Sequence, residues 1–261
     1  GEEFQALNEN QTLYFHRIGT PQEEDVAVYA TPDRPRLGHS AQVTHDNRWV
    51  VITSSEGTDE KHEINLISIS SSRGKLLPVE QWKRRALVQG LEYDWQLIEG
   101  IGAQIWFVTN RDAPRLKIVK ADLAGEVPIF SDIISERKEP LARAQIVGDR
   151  LVLSYLENAA SIAEMVSLEG QPLQSIHLNA IGTASGFSGK PGDPETFYGF
   201  SSFNRPSTIF RFNSATGKST LFGQPELSFD PSTVSIDQRF YESKDGTKVP
   251  MFIVRKKDLD L

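Results

Sequence analysis

The stretch Asp46-Asn47-Arg48-Trp49-Val50-Val51-Ile52-Thr53 is a turn-forming pair followed by a short run of aromatic and β-branched residues. Asn and Asp tolerate the backbone angles of tight turns, and short apolar runs between turns are typical of buried strands. Similar runs are Ile105-Trp106-Phe107-Val108-Thr109, Leu151-Val152-Leu153-Ser154-Tyr155 and Phe197-Tyr198-Gly199-Phe200. Segments with helical periodicity are nearly absent, so the sequence predicts an all-β protein.

These strands belong to a repeating unit of four strands. The second strands of four successive units contain Trp49, Trp106, Val152 and Tyr198, in steps of about 57, 46 and 46 residues. The spacing is close to the roughly 40 to 50 residues of a β-propeller blade. The first unit is predicted to end with a fourth strand at Lys75 to Val79, and a loop insertion around Gln81 to Gln89 explains its longer step.

Two further strands precede the first unit, at residues 12–18 and 25–29, and we interpret them as the last two strands of another blade. The chain is therefore predicted to hold about four and a half blades of four antiparallel strands, with the half-blade at about 12–30. Propellers close a ring of typically four to eight blades, which leaves no long strand edge in water. We expect an excerpt whose missing blades lie before Gly1; a complete small propeller and a twisted sandwich of four sheets are the alternatives.

After Asp230-Pro231 the pattern changes to one long hairpin, with strands at 237–241 and 248–256. The turn between them contains Asp245-Gly246, a strong hairpin signal. The length of this hairpin does not match the blade unit. We therefore place a domain boundary near Ser232 to Ser235, with a partial propeller over residues 1–233 and the start of a second domain over 234–261.

The composition excludes several classes of function. A net charge of -7 argues against nucleic-acid binding, which needs clustered Lys and Arg. The short basic pieces Lys83-Arg84-Arg85 and Arg255-Lys256-Lys257 are interpreted as solvated surface. We also expect no membrane segment or signal peptide, because neither a long apolar run nor a basic start followed by one is present. The absence of cysteine excludes disulfides, Cys-based zinc sites and a Cys nucleophile.

No local motif provides catalytic chemistry. The Gly-x-Ser-x-Gly motif of a hydrolase nucleophile is absent, because the second glycine comes one position too early after both Ser188 and Ser185. A phosphate-binding loop in the same segment would need a glycine at Ala184 and a hydroxyl residue at Pro191. A glycine-rich inner strand and turn explain this segment better.

Histidines and carboxylates do not form sites by spacing either. The five histidines are His16, His39, His45, His62 and His177, and none belongs to a paired metal-binding motif. The acidic runs Glu23-Glu24-Asp25 and Asp59-Glu60 are interpreted as solvated loops. We expect no catalytic residue, no metal and no cofactor in this chain.

Three stretches resemble the prolyl oligopeptidase family of serine peptidases. The first is Leu13-Tyr14-Phe15-His16-Arg17-Ile18-Gly19-Thr20-Pro21-Gln22, with Glu24-Asp25 following. The second runs from Asp46 to Asp59 and ends in Glu56-Gly57-Thr58-Asp59. The third and most specific is Tyr241-Glu242-Ser243-Lys244-Asp245-Gly246-Thr247-Lys248-Val249-Pro250-Met251-Phe252-Ile253-Val254, which is similar to the hairpin that enters the family's α/β-hydrolase domain.

The resemblance implies a seven-bladed propeller capping an α/β-hydrolase domain whose Ser-Asp-His triad lies beyond Leu261. It also implies cleavage of short proline-containing peptides after proline by acyl transfer, with the propeller as a size filter. The chain alone is then inactive. The partners implied are the peptide substrate and the hydrolase domain of the same protein, in a soluble monomer of the cytoplasm, with the periplasm as the alternative.

The resemblance further places the Ser54 to Asp59 loop at the substrate cavity, with Ser55 and Thr58 lining it. Animal members have Arg and Cys at the positions matching Ser55 and Thr58, so a hydroxyl contact to substrate, or none, replaces an ionic one. An ordinary surface turn is the alternative for this loop. For the whole protein, the alternatives are an oligopeptidase B that cleaves after Arg or Lys, and a propeller that only binds partners.

Overall fold

The computed structural model describes residues 8–71, 74–178 and 180–259, and none of these residues is in an α-helix. Three single turns of 3-10 helix are present at Gln22–Glu24, Val79–Gln81 and Pro231–Thr233. The strands are β1 (Thr12–Phe15), β2 (Val26–Ala30), β3 (Leu37–Val43), β4 (Trp49–Glu56), β5 (Glu63–Ser68), β6 (Lys83–Val88), β7 (Trp95–Ile101), β8 (Gln104–Thr109), β9 (Lys117–Asp122), β10 (Ile129–Ile134), β11 (Leu141–Val147), β12 (Arg150–Glu157), β13 (Ala160–Ser167), β14 (Pro172–Ile176), β15 (Thr183–Lys190), β16 (Asp193–Ser202), β17 (Arg205–Asn213), β18 (Lys218–Gly223), β19 (Val234–Glu242) and β20 (Lys248–Lys256). The prediction of an all-β protein is confirmed.

The chain divides into two compact units, residues 1–135 and 136–261. Unit 1 contains the antiparallel pair β1-β2 and the four-stranded sheets β3 to β6 and β7 to β10. Unit 2 contains the four-stranded sheets β11 to β14 and β15 to β18, followed by the hairpin β19-β20. The predicted repeat is confirmed, with four sheets of four antiparallel strands after a two-stranded half-blade. The domain boundary between residues 233 and 234 stays a prediction.

The core of unit 1 explains why each of its second strands contains an uninterrupted run of four apolar residues. Val51 on β4 packs into a cluster with Trp95 and Phe107 of the following sheet. Its neighbours Val50 and Ile52 point the other way, into a cluster with Tyr29 of the half-blade. Successive side chains of a strand alternate between its two faces. Since both faces of this sheet are covered, residues 49–52 of the strand do not alternate between apolar and polar side chains.

The core of unit 2 is aromatic. Phe187, Tyr198 and Phe212 are each at most 1% exposed and belong to one cluster between the two sheets. The Phe187 ring stacks on Tyr198 with the ring centroids 4.5 Å apart. Gly186 and Phe187 both have positive φ, +110° and +59°, and the β15-β16 register shifts there. This bulge turns the Phe187 side chain into the core, so the glycine-rich segment is an inner strand with a structural kink.

The predicted fourth strand at Lys75 to Val79 is wrong. The strand that completes the first four-stranded sheet is β6, which pairs with β5 and lies inside the predicted insertion. Pro78 has no backbone N–H to donate to a sheet, and Leu76 is 57% exposed. By contrast, Leu87 and Val88 of β6 pack against the core.

The interpretation of Lys83-Arg84-Arg85 as solvated surface agrees with the exposure of Lys83 and Arg84, whereas Arg85 is half-buried. Both arginines nevertheless make contacts. The Arg84 guanidinium lies over the Tyr29 ring, 5.4 Å from its centroid. Arg85 donates hydrogen bonds to backbone carbonyls of the β9-β10 turn, at 3.1 Å to Gly125. Adjacent residues on β6 face opposite ways, so one arginine braces the sheet against the half-blade and the other against the next sheet.

Candidate functional site

The predicted site residues lie where β4 ends and turns toward β5. The loop was predicted to begin at Ser54, but the structure places Ser54 to Glu56 within β4. The connection between β4 and β5 therefore covers residues 57–62. Ser55 is half-buried and lies opposite Gly38 of β3. Thr58 is exposed in the turn after Gly57, whose φ of +59° suits glycine. The two predicted cavity residues therefore belong to one strand end, with Thr58 the more accessible.

Ser54 takes part in a buried polar network behind this turn. Its hydroxyl lies 2.8 Å from Nδ1 of His39, and the other ring nitrogen of His39 lies 3.1 Å from the Thr31 hydroxyl. Burial lowers the pKa of His39, which favours the neutral imidazole. A serine next to a neutral histidine is the arrangement of an activated nucleophile, which also requires substrate access and a group that orients the histidine. Here Ser54 is 0% exposed and the orienting group is a hydroxyl, so the pair is structural.

An ion pair holds the far end of the connection, at the start of β5. Both carboxylate oxygens of Glu63 accept hydrogen bonds from the Arg34 guanidinium, at 2.8 and 2.7 Å. The Gly90 backbone N–H donates a third, at 3.0 Å. The hydrogen bonds from Arg34 lower the pKa of the Glu63 carboxyl, against the opposing effect of burial. Glu63 is therefore ionised in the folded protein and ties together three connections of unit 1.

His62 provides a second anchor beside Glu63. Its backbone N–H donates to the Tyr93 carbonyl at 2.9 Å, and its ring Nδ1 accepts from the Trp95 backbone N–H at 3.2 Å. The same nitrogen lies 3.0 Å from the Asp94 carboxylate. Both ends of the β4-β5 connection are thus fixed, while residues 57–60 between them are exposed. Neither the Arg34–Glu63 ion pair nor the contacts of His62 could be identified from the spacing of residues in the sequence.

A small groove lies beside this connection. It has a volume of about 260 Å³ and is lined by Asp33, Arg34, Pro35, Arg36, Leu37, Glu56 and Leu91. Two of these lining residues, Arg36 and Glu56, form an ion pair at 3.1 Å. The lining contains two arginines and two acidic residues, Asp33 and Glu56. The groove therefore has no charge preference for either an anionic or a cationic ligand.

Unit 2 has equivalent second-to-third-strand connections, and both are two-residue turns that contact the hairpin. In the first, between β12 and β13, the Asn158 carbonyl accepts a hydrogen bond from Gln238 Nε2 at 2.6 Å. In the second, between β16 and β17, the Phe203 ring lies 5.1 Å from the Phe252 ring. In unit 2 this end of the four-stranded sheets is therefore the one that meets the segment after the last blade.

Within the described ranges, no His, Cys, Asp and Glu side chains gather in a group of three or more that could hold a metal ion. In the same ranges, no helix is long and apolar enough to cross a membrane.

The chain is similar to proteins of one family. The family described as "Prolyl oligopeptidase, N-terminal beta-propeller domain" matches residues 1–225. A prolyl endopeptidase of Elizabethkingia miricola is 30% identical over 262 residues, covering 99% of this chain and 35% of that protein. Prolyl oligopeptidase ophP of Omphalotus olearius is 34% identical over 260 residues, covering 96% of this chain and 34% of that protein.

Solved structures agree with these relatives. A structure from a structural and mechanistic analysis of two prolyl endopeptidases superposes with a TM-score of 0.87 at 45% identity, covering 97% of this chain and 36% of that one. Oligopeptidase B from Leishmania major superposes with a TM-score of 0.70 at 18% identity, over 96% of this chain and 36% of that one, which shows a likeness of fold alone. The chain spans about a third of the length of the relatives it matches. It belongs to the prolyl oligopeptidase family, of whose N-terminal β-propeller it forms a portion.

Proposed function

We propose that this chain is the non-catalytic propeller region of a serine endopeptidase that cleaves short peptides after proline. The observation that carries the proposal is the likeness to a protein named prolyl endopeptidase over 99% of this chain, including the final hairpin. The propeller then restricts access to the active site by substrate size. The catalytic serine, aspartate and histidine belong to an α/β-hydrolase domain that follows the hairpin in the same protein.

Two alternative functions have less support. An oligopeptidase B that cleaves after Arg or Lys has the same fold, but its representative is only 18% identical to this chain, against 45% for the prolyl endopeptidase structure. A propeller that only binds partners would not need the hairpin, which is fitted to the second-to-third-strand turns of unit 2. We further propose that the whole protein is a monomer without a cofactor, located in the cytoplasm, with the periplasm as the alternative.

Within this function, we assign Ser55 and Thr58 to the wall of the substrate cavity. The equivalent connections of unit 2 carry the hairpin, so this class of connection is the one that would face the peptidase domain. The β4-β5 connection is longer than those two-residue turns, and its middle is exposed between two fixed ends. Exposed polar segments on a rigid scaffold are suited to gating and substrate contact.

The specificity of the full-length protein tests the proposed function. It should cleave a Gly-Pro reporter with a kcat/KM at least about a hundredfold above that for an otherwise identical Gly-Arg reporter, since a fitted pocket discriminates by several kcal/mol. A serine-directed inhibitor should abolish the cleavage. A preference for the Arg reporter would favour oligopeptidase B. Failure to cleave either reporter would favour a propeller that only binds partners.

The substitution Thr58→Trp in the full-length protein tests the assignment of the loop. A bulky ring in the cavity wall should lower kcat/KM for peptides of about ten residues by about tenfold, which corresponds to about 1.4 kcal/mol of activation free energy. Thermal stability should hardly change, because Thr58 is exposed. Thr216→Trp, in the exposed β17-β18 turn, is the matched control. Unaltered kcat/KM for both short and long peptides would show that the connection is an ordinary surface turn.

A further inference from the structure

The connection between β2 and β3 covers residues 31–36 and carries two arginines, two positions apart. Both contact the strand ends that flank the β4-β5 connection, but on opposite sides of it. Arg36 forms an ion pair with Glu56, the last residue before that connection, at 3.1 Å. Arg34 donates two hydrogen bonds to Glu63, the first residue after it, at 2.8 and 2.7 Å. One short segment therefore holds the β4-β5 connection at both of its ends.

The two ion pairs differ in burial and therefore in strength. The Arg36 and Glu56 side chains are 67% and 49% exposed, and such pairs contribute little because both charges stay solvated. The Glu63 side chain is 6% exposed and accepts a third hydrogen bond from the Gly90 backbone N–H at 3.0 Å. Removal of Arg34 would leave this mostly buried carboxylate with one donor, which is costly. The contact of Arg34 is therefore the stronger of the two.

The β2-β3 connection is itself held in one shape. Pro32 and Pro35 each fix their own φ angle on either side of Arg34. The Arg34 backbone N–H donates to the Thr31 carbonyl at 2.9 Å, and its carbonyl accepts from the Leu37 backbone N–H at 3.1 Å. Leu37 is buried at the start of β3. Because this segment is already fixed, it loses little further conformational entropy when it holds a neighbouring connection.

The middle of the β4-β5 connection depends on its two ends. Residues 57–61 are exposed and lie outside the strands. The Asp59 backbone N–H donates to the Glu56 carbonyl at 3.1 Å, so the turn that contains Thr58 is built on Glu56. A short exposed segment follows the positions of its ends, since few contacts of its own oppose their movement. The position of Thr58 is therefore set by Glu56 on one side and Glu63 on the other.

We propose that Arg34 is a positioning residue for the substrate cavity, and that it fixes the wall formed by Ser55 and Thr58 through the Glu63 carboxylate. This inference rests on the proposed function, in which those two residues line the cavity. The wall carries no reacting group. Its displacement should therefore weaken the binding of substrate and of transition state equally, which raises KM and leaves kcat unchanged. Arg36 supports the other end of the wall more weakly.

The test uses the full-length protein with Arg34→Gln, which removes the charge and the two-pronged hydrogen bond. Backbone hydrogen exchange over residues 57–63, measured without substrate, should become about three- to tenfold faster, the scale expected for one hydrogen bond of a half-exposed cation. KM for a proline-containing peptide of about ten residues should rise by a similar factor, with kcat unchanged. Arg36→Gln should change either quantity by less than about twofold.

A conservative variant separates positioning from mere charge. Arg34→Lys keeps the positive charge but cannot donate two parallel hydrogen bonds to one carboxylate. Its exchange rate over residues 57–63 and its KM should both lie between those of Arg34→Gln and those of the unaltered protein. If Arg34→Gln does not fold, Arg34→Lys still decides, because an exchange rate and a KM equal to those of the unaltered protein would contradict the positioning role.

The matched control is Arg211→Gln. Arg211 is 54% exposed, close to the 49% of Arg34, and it pairs with Glu195 between β16 and β17 of unit 2. It should alter neither the exchange over residues 57–63 nor KM. Unchanged exchange in Arg34→Gln would overturn the proposal, whatever the protein cleaves. Faster exchange with an unchanged KM would also overturn it, since the connection would then not belong to the cavity. Failure of the proposed function is seen separately, as failure to cleave the Gly-Pro reporter.

Discussion

The 261-residue chain on its own is expected to leave a Gly-Pro reporter peptide uncleaved, whereas we expect the full-length protein to cleave it. The chain has no cysteine and no Gly-x-Ser-x-Gly motif. The serine and histidine that do lie together, Ser54 and His39, are both buried in a sheet. Without an accessible nucleophile and base, acyl transfer loses the several orders of magnitude that these groups provide.

The measurement is product release by equal molar amounts of the chain and of the full-length protein, purified in the same way. We expect at least about a thousandfold difference, the scale on which removal of catalytic groups acts. Ser54→Ala in the chain is the matched control, and it should leave the background rate unchanged. Turnover by the chain that disappears with a serine-directed inhibitor, or with Ser54→Ala, would contradict the assignment of the catalytic groups to another domain.

The substitution Phe212→Ala is expected to cause the largest loss of stability. Phe212 is 0% exposed and lies in the cluster between the two four-stranded sheets of unit 2. Its ring also meets Phe187 edge-on, with the centroids 5.9 Å apart. Truncating a buried Phe to Ala removes its transfer free energy and leaves a cavity, at a typical cost of about 3–5 kcal/mol of unfolding free energy.

Phe222→Ala is the control in the same sheet, because that side chain is 65% exposed. It should change the free energy of unfolding of the chain by less than about 1 kcal/mol, as exposed positions generally do. Urea denaturation followed by far-UV circular dichroism compares the two variants. Equal losses for Phe212→Ala and Phe222→Ala would mean that the packing between β11–β14 and β15–β18 is not the core of unit 2.

The strand repeat could be predicted from the sequence for a physical reason. Strands such as β4 and β8 are covered on both faces, so each contains four consecutive apolar residues, at 49–52 and 105–108, and this run stands out from the polar turns. The outer strands carry a weaker signal, because one of their edges and part of their surface face solvent. Lys83–Val88 begins with three basic residues, and only its pairing with β5 shows that it is a strand.

The all-β class, the four repeated sheets, the final hairpin and, through three short stretches, the family could all be predicted from the sequence. It could not determine which groups hold the β4-β5 connection. Arg34 and Glu63 are 29 positions apart, and His62 and Trp95 are 33 apart. Their partnership depends on loops from different strands meeting at one end of the sheets, which no local spacing encodes. The folded structure is also needed to show that Ser54 is a buried partner of His39, whereas Thr58, four residues later, is exposed. The reason is that Ser54 lies on β4 between two paired strands, β3 and β5, which cover it, whereas Thr58 lies in the turn beyond them.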